Sequence, residues 1–162
     1  VMKSCFRLGM YKQGLLHDLS KYSPTEFLVG VKYYQGNRSP NNAEREDKGY
    51  TSAWLHHKGR NKHHLEYWFD YNPAERRNMP VKMPLKYVAE MFCDRVAASK
   101  IYQGERYTDA HPLMYFEKGK DIRLIHPQTS DFLERLLTML RDEGEDATFS
   151  YLRSYLSSHD DY

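Results

Sequence analysis

The sequence predicts a single all-α domain, a helical bundle, and three observations carry that prediction. Apolar residues recur at helical spacing in most segments. No segment alternates strictly between apolar and polar, as a strand would. Several segments open with a capping residue or a proline and stop at a glycine. A chain of 162 residues suits one core. The bundle divides into a core over 1–104 and C-terminal helices over 108–157.

From Val1 to Tyr11, apolar residues at 1, 5 and 8 have helical spacing, and Val1-Met2-Lys3-Ser4-Cys5-Phe6 already reads as mid-helix, which leads us to expect chain before Val1. Gly14 interrupts the pattern, and Leu15-Leu16-His17-Asp18-Leu19 follows as a short helical stretch. Ser23-Pro24-Thr25-Glu26 reads as a capping box, with proline at the first helical position. A helix over 24–35 should bury Phe27, Leu28, Val31 and Tyr34 and stop at Gly36. Asn37 to Gly49 has no apolar period and reads as a surface loop. Thr51 to His57 starts a helix that Gly59 should weaken, with a turn over 58–62. His64 to Asp70 resumes as helix, Leu65, Trp68 and Phe69 facing inward, and a proline-containing loop covers 73–84. Leu85 to Gln103 is apolar nearly all round and should be central. Thr108 or Asp109 can cap a helix ending at Lys118, Pro127 opens one to Glu143 before Gly144, and Asp146 can cap the last.

Composition excludes several classes. The 24 basic and 22 acidic residues leave a net charge of +2, too little for a general field toward nucleic acid or an anionic membrane. No apolar run is long enough to cross a bilayer, and no leader pattern opens the sequence. Cys5 and Cys93 are far apart and lack metal-type spacing, so they read as reduced, buried thiols. Together these features predict a cytoplasmic protein.

Eight histidines, four of them between positions 56 and 64, point to a metal site. His17 offers a neutral nitrogen and Asp18 a hard anionic oxygen, a mix suited to Mn, Fe, Co, Ni or Zn. Asp94 lies in the most apolar helix, with Met91, Ala97 and Ala98 on its face, where an ionised carboxylate needs an ion or a partner such as Arg7 or Arg95. In Trp54-Leu55-His56-His57-Lys58-Gly59-Arg60-Asn61-Lys62-His63-His64-Leu65-Glu66, two histidine pairs stand seven residues apart. That is two helical turns, too far for one ion unless the helix breaks. His57 and His64 share faces with Trp54 and Trp68 and are the expected ligands, leaving His56 and His63 to support them or touch substrate. Lys21, Lys58, Arg60 and Lys62 ring the site with positive charge, which suits a phosphate-bearing substrate.

The pattern resembles the HD-domain superfamily of metal-dependent phosphohydrolases. His17-Asp18-Leu19-Ser20-Lys21 looks like its His-Asp stretch, Asp94 like its closing aspartate, and His57 and His64 like the extra histidines of members binding two or more metals. The superfamily's first histidine lies a helix earlier, and residues 1–16 contain none. The stretch from Leu15 to Ser99 also resembles a family of uncharacterised small bacterial and phage proteins carrying HDLSKYSPTEF and AWLHHKGRNKHHLEYW.

The resemblance implies an HD-like bundle and a hydrolase of a nucleotide or other small phosphate ester, with one or two divalent transition-metal ions on His17, Asp18, His57, His64 and Asp94. Lys21, His63 and Glu66 would serve catalysis, and Lys58, Arg60 and Asn61 would hold substrate. Two alternatives stay open. One is a non-catalytic HD-like module binding a nucleotide or protein, its metal structural or absent. The other is di-iron oxygenase-type chemistry.

Overall fold

The computed structural model describes residues 1–36 and 38–162. The molecule is mostly helical. In chain order the helices are α1 (Met2–Arg7), α2 (Tyr11–Leu16), α3 (Pro24–Tyr33), α4 (Pro40–Lys48), α5 (Ser52–Arg60), α6 (Leu85–Gln103), α7 (His111–Lys118), α8 (Pro127–Glu143) and α9 (Glu145–Ser158). A small antiparallel sheet of β1 (Phe69–Asn72) and β2 (Arg77–Pro80) lies between α5 and α6. Among the described residues, no helix is long and apolar enough to cross a membrane.

The core forms where α6 meets α8 and α9. Val88, Phe92 and Val96 of α6 pack with Leu133, Leu136, Leu137 and Leu140 of α8 and with Phe149 and Leu152 of α9. α6 and α8 have the bounds expected from the sequence, because apolar periodicity, Pro127 and Gly144 mark them clearly. α1 also joins this core through Cys5, which is buried like Cys93. Helix α2 runs straight through Gly14, and the reason is packing. A Cβ there would stand 2.9 Å from the Phe6 ring and 3.0 Å from Cys5 Cβ, so glycine lets α1 and α2 touch.

Four local expectations are corrected. The expected surface loop contains α4; its first residue, Asn37, lies outside the described residues. Ser39 caps α4 by accepting from Asn41 N at 3.3 Å, Pro40 stands in its first turn, and Gly49 ends it with φ 78°. This is the same Ser-Pro signal as at Ser23-Pro24, hidden by an almost wholly polar helix. Glu44 of α4 is fully buried and accepts from Ser52 Oγ (2.6 Å), Lys48 Nζ (3.0 Å) and Ala53 N (3.4 Å), fastening α4 to the start of α5.

The helix expected over 64–70 is instead a 3₁₀ turn, Leu65–Tyr67, leading into β1. Asn72 Oδ1 accepts from Ala74 N and Glu75 N, forming the hairpin turn that the sequence concealed in a proline-containing loop. The supposed buried stripe of α3 faces outward: Phe27, Leu28, Val31 and Tyr34 are 56%, 63%, 64% and 73% exposed. The side of α3 that turns inward carries Glu26. Finally, neither Thr108, Asp109 nor Asp146 makes a side-chain cap at α7 or α9.

Candidate metal centre

The His17-Asp18 pair sits where the helix stops. α2 ends at Leu16, His17 is extended (φ −54°, ψ 124°), and Asp18 is left-handed (φ 57°, ψ 20°). Neighbouring residues inside a helix point about 100° apart. Breaking the helix lets both side chains reach one point. The sequence suggested a helix across this pair; the backbone break is the correction. Aspartate tolerates the left-handed region better than most residues.

The second group comes from the end of α5. The helix passes through Gly59 and stops at Asn61, whose side chain donates to His57 O (2.8 Å) and Ser20 Oγ (2.7 Å). The chain then doubles back, so His63 and His64 return to His57. The His57 and His64 rings are 4.7 Å apart, and His63 lies 4.4 Å from His17. Trp54 stacks on His57 at 5.4 Å and meets His64 edge-on at 5.0 Å, forming an aromatic wall.

Asp18 joins the groups. His57 Nε2 and His63 Nε2 lie 3.3 and 3.4 Å from its Oδ1. His17 Nε2 lies 3.4 Å from its Oδ2 and 3.5 Å from Asp94 Oδ1. Two neighbouring donor sets share Asp18: Asp18, His57, His63 and His64 on one side, and His17, Asp18 and Asp94 on the other; a third group joins His17 and His63 to Glu90. All five predicted ligands are therefore together. His63, expected in a supporting or catalytic role, stands among them.

Carboxylates hold the outer nitrogens. Glu90 Oε1 accepts from His17 Nδ1 (2.9 Å) and lies 3.2 Å from His63 Nδ1. Glu26 Oε2 accepts from His57 Nδ1 (2.8 Å), and its Oε1 accepts from His56 Nδ1 (2.7 Å). An ionised carboxylate only accepts, so the Nδ1 atoms of His17 and His57 carry protons and their Nε2 atoms turn inward, as does Nε2 of His63 toward Asp18. Burial disfavours both carboxylate charges, but these imidazoles outweigh it and hold Glu90 and Glu26 below the usual range. Such outer carboxylates are the usual means of orienting a ligating imidazole. Glu26 therefore serves the site rather than a capping box, although Ser23 does cap α3.

The donor atoms fit an ion. His17 Nε2, Asp18 Oδ1, His63 Nε2 and His64 Nε2 are buried without a hydrogen-bond partner among the described residues, an expensive state for polar atoms. Tetrahedral bonds of about 2.1 Å place ligand atoms about 3.4 Å apart, which matches the separations here. Burial and the neighbouring His63 and His57 push His64 down to about 3, keeping it in the neutral form a metal needs. Burial lowers His17 too, but Asp94, Glu90 and Asp18 overcome this and raise it to about 9. Burial works against Asp18, yet His57 and Lys21 hold its pKa far below the ordinary value.

A cavity of about 1220 Å³ opens over Asp18, His57, His64 and Asp94. Lys21 and Glu66 line it, and Lys21 Nζ is 2.7 Å from Asp18 Oδ2. The expected substrate residues are distributed differently. Asn61 spends its side chain on Ser20 and His57, Arg60 lines a separate 280 Å³ cavity beside His63 and Glu90, and Lys58 lines neither. The cations in the main cavity besides Lys21 are Arg95 and Arg123. The roles of Glu26, Glu90 and Arg123 were not read from the sequence. Glu90 carried a usable signal: a second carboxylate one turn before Asp94 in an apolar helix.

Residues 1–139 match the family described as a family of unknown function, DUF5662. The chain belongs to this family. No curated protein and no solved structure matches it. The DUF5662 match spans every residue of the centre, from His17 to Asp94, and continues into α8.

Proposed function

We propose that this DUF5662 protein is an HD-domain-like, metal-dependent phosphohydrolase acting on a nucleotide or another small phosphate ester. The observation that carries the proposal is the convergence of orphaned donor atoms of His17, Asp18, His63 and His64, with His57 and Asp94 beside them and two glutamates fixing the imidazoles. The Asp18 carboxylate, shared by both donor sets, suits one or two ions. His63 supplies a further histidine beside His17 from a segment later in the chain. A bound divalent transition metal would bring the pKa of a coordinated water toward neutrality and polarise a phosphoryl oxygen.

The remaining roles fall to the chain. His17 and His57 turn Nε2 toward the centre because Glu90 and Glu26 anchor their Nδ1–H groups, and the Nε2 proton would be displaced by a bound metal. Lys21 is more than half exposed, so it can leave Asp18 for an incoming phosphoryl oxygen. Glu66 lines the cavity and is the candidate to move a proton to or from the reacting group. Trp54 and Leu65 restrict water on the adjoining wall.

The alternative is a non-catalytic HD-like module that binds a nucleotide or protein. It is favoured by the Lys21–Asp18 ion pair, which already neutralises one candidate ligand oxygen.

Elemental analysis of protein expressed without an affinity tag, followed by turnover assays on nucleotides and phosphoesters, separates the two. Stoichiometric transition metal and chelator-sensitive phosphate release are expected, both lost in Asp94→Ala. Metal-free protein inert across the panel would overturn the proposal. An iron-dependent absorbance band without phosphate release would instead favour oxygenase chemistry.

A further inference from the structure

On the cavity wall formed by α6 and the segment after α7 stand two guanidinium groups that have no counter-ion among the described residues. Arg95 follows Asp94 on α6, and Arg123 lies between α7 and α8. Both lean on one ring: Arg95 Cζ is 5.8 Å and Arg123 Cζ 5.0 Å from the centroid of Phe116, which is fully buried. Among the described residues, the arginines that form ion pairs are Arg7, Arg38, Arg77 and Arg141. Arg95 and Arg123 are not among them. Arg95 Nε is shut off from solvent and has no hydrogen-bond partner. Arg123 donates one Nη1 bond to Phe116 O (3.1 Å), leaving its other donors.

This arrangement is costly as it stands. Two like charges are held close beside an apolar ring, and a buried donor goes unused. Glu66 lines the same cavity without entering ion-pair distance, and Asp94 faces His17. A ligand that carries negative charge would relieve both costs. Guanidinium forks match the oxygens of phosphoryl groups, and two positive charges balance a dianion better than a single carboxylate does. Ser99, His111 and Tyr115 add polar atoms to the cavity lining, while Tyr34 and Tyr102, both largely exposed, offer aromatic faces.

We propose that Arg95 and Arg123 form a binding site for a phosphoryl dianion, apart from the metal centre, which holds the remote end of a ligand lying along the cavity. The site rests on the arginine pair and the cavity, and it stands whether or not the centre binds metal. The dianion can be free phosphate or the phosphate of an organic molecule. In the second case the exposed tyrosines add affinity by stacking on an aromatic body.

Titration calorimetry on the full, chelator-treated chain tests this with inorganic phosphate and adenosine monophosphate as probes. Phosphate should bind once per chain. Arg95→Gln and Arg123→Gln should each weaken it at least tenfold, and Arg123→Lys less. Arg135→Gln, a charge-matched change outside the cavity lining, should leave phosphate affinity unchanged. If the natural source is an organic phosphate, the monophosphate binds more tightly and Tyr102→Ala removes that advantage; equal affinities identify free phosphate. Absence of phosphate binding by the folded wild type would overturn the proposal. Wild-type affinity in folded Arg123→Gln would do the same, as would a loss in Arg135→Gln equal to that in Arg123→Gln. Arg95→Gln removes a partly buried side chain, so Arg123→Gln and Arg123→Lys decide if it fails to fold.

Discussion

α6 belongs to two buried regions stabilised by opposite means. On one side, Val88, Phe92 and Val96 pack into the leucines of α8, and every atom is satisfied by shape alone. On the other, Glu90 and Asp94 meet a layer of imidazoles in which buried donor atoms remain unpaired. Apolar packing tolerates small changes of angle and is tuned by volume. The imidazole layer depends on single protons and single oxygens. The core should therefore respond to substitution in stability, and the centre in ligand affinity.

Truncating the core should have the largest effect on stability. Phe92→Ala should cost about 3–5 kcal/mol, measured by denaturant unfolding, and any folded fraction should keep the wild-type metal ratio. A metal ratio that falls in step with stability would break the separation of the two regions. Glu90→Gln should act the other way. It removes the negative charge that anchors His17 and stands beside His63 while keeping the volume, so metal affinity should fall by about 10–100-fold in a competition titration. Glu26→Gln, which loosens His57 alone among the proposed ligands, should fall toward the weaker end of that range.

Glu44 extends the comparison to a buried carboxylate away from the centre. Burial raises its pKa, but Ser52, Lys48 and Thr51 overcome that and lower it to about 2. A carboxyl depressed in the folded state adds stability above its ordinary pKa of about 4.5 and loses it as pH falls toward about 2. The melting-temperature gap between wild type and Glu44→Gln should therefore be full at neutral pH and close between those values, with metal content unchanged. The smallest effect is expected at Phe27, which is mostly exposed. Phe27→Ser should shift stability by no more than about 0.5 kcal/mol.

The same contrast explains what was legible in the sequence. α6 and α8 were readable because burial of apolar side chains leaves a period. Five candidate ligands were readable because histidines and buried carboxylates are conspicuous in apolar surroundings. The helix break at His17-Asp18 was not, since it depends on a left-handed residue that no spacing announces. Without that break, and without the chain reversal at Asn61, His63 could not be placed beside His17. α3 misled for a related reason. Phe27, Val31 and Tyr34 have helical spacing but face the cavity mouth, where apolar side chains meet solvent rather than the core. Arg123 lies where no periodicity applies, and only the folded chain brings it to Arg95.

One oxygen, Glu90 Oε1, lies 2.9 Å from His17 Nδ1 and 3.2 Å from His63 Nδ1, imidazoles on separate segments. Both imidazoles have side chains that are largely buried. Their ring N–H protons should therefore persist as slowly exchanging, strongly downfield signals in a proton magnetic resonance spectrum of nitrogen-labelled protein. His17→Ala would erase one and shift the other, since both rings stand against the same oxygen. The pair would thus serve as an internal reporter on the centre, visible before any substrate is known.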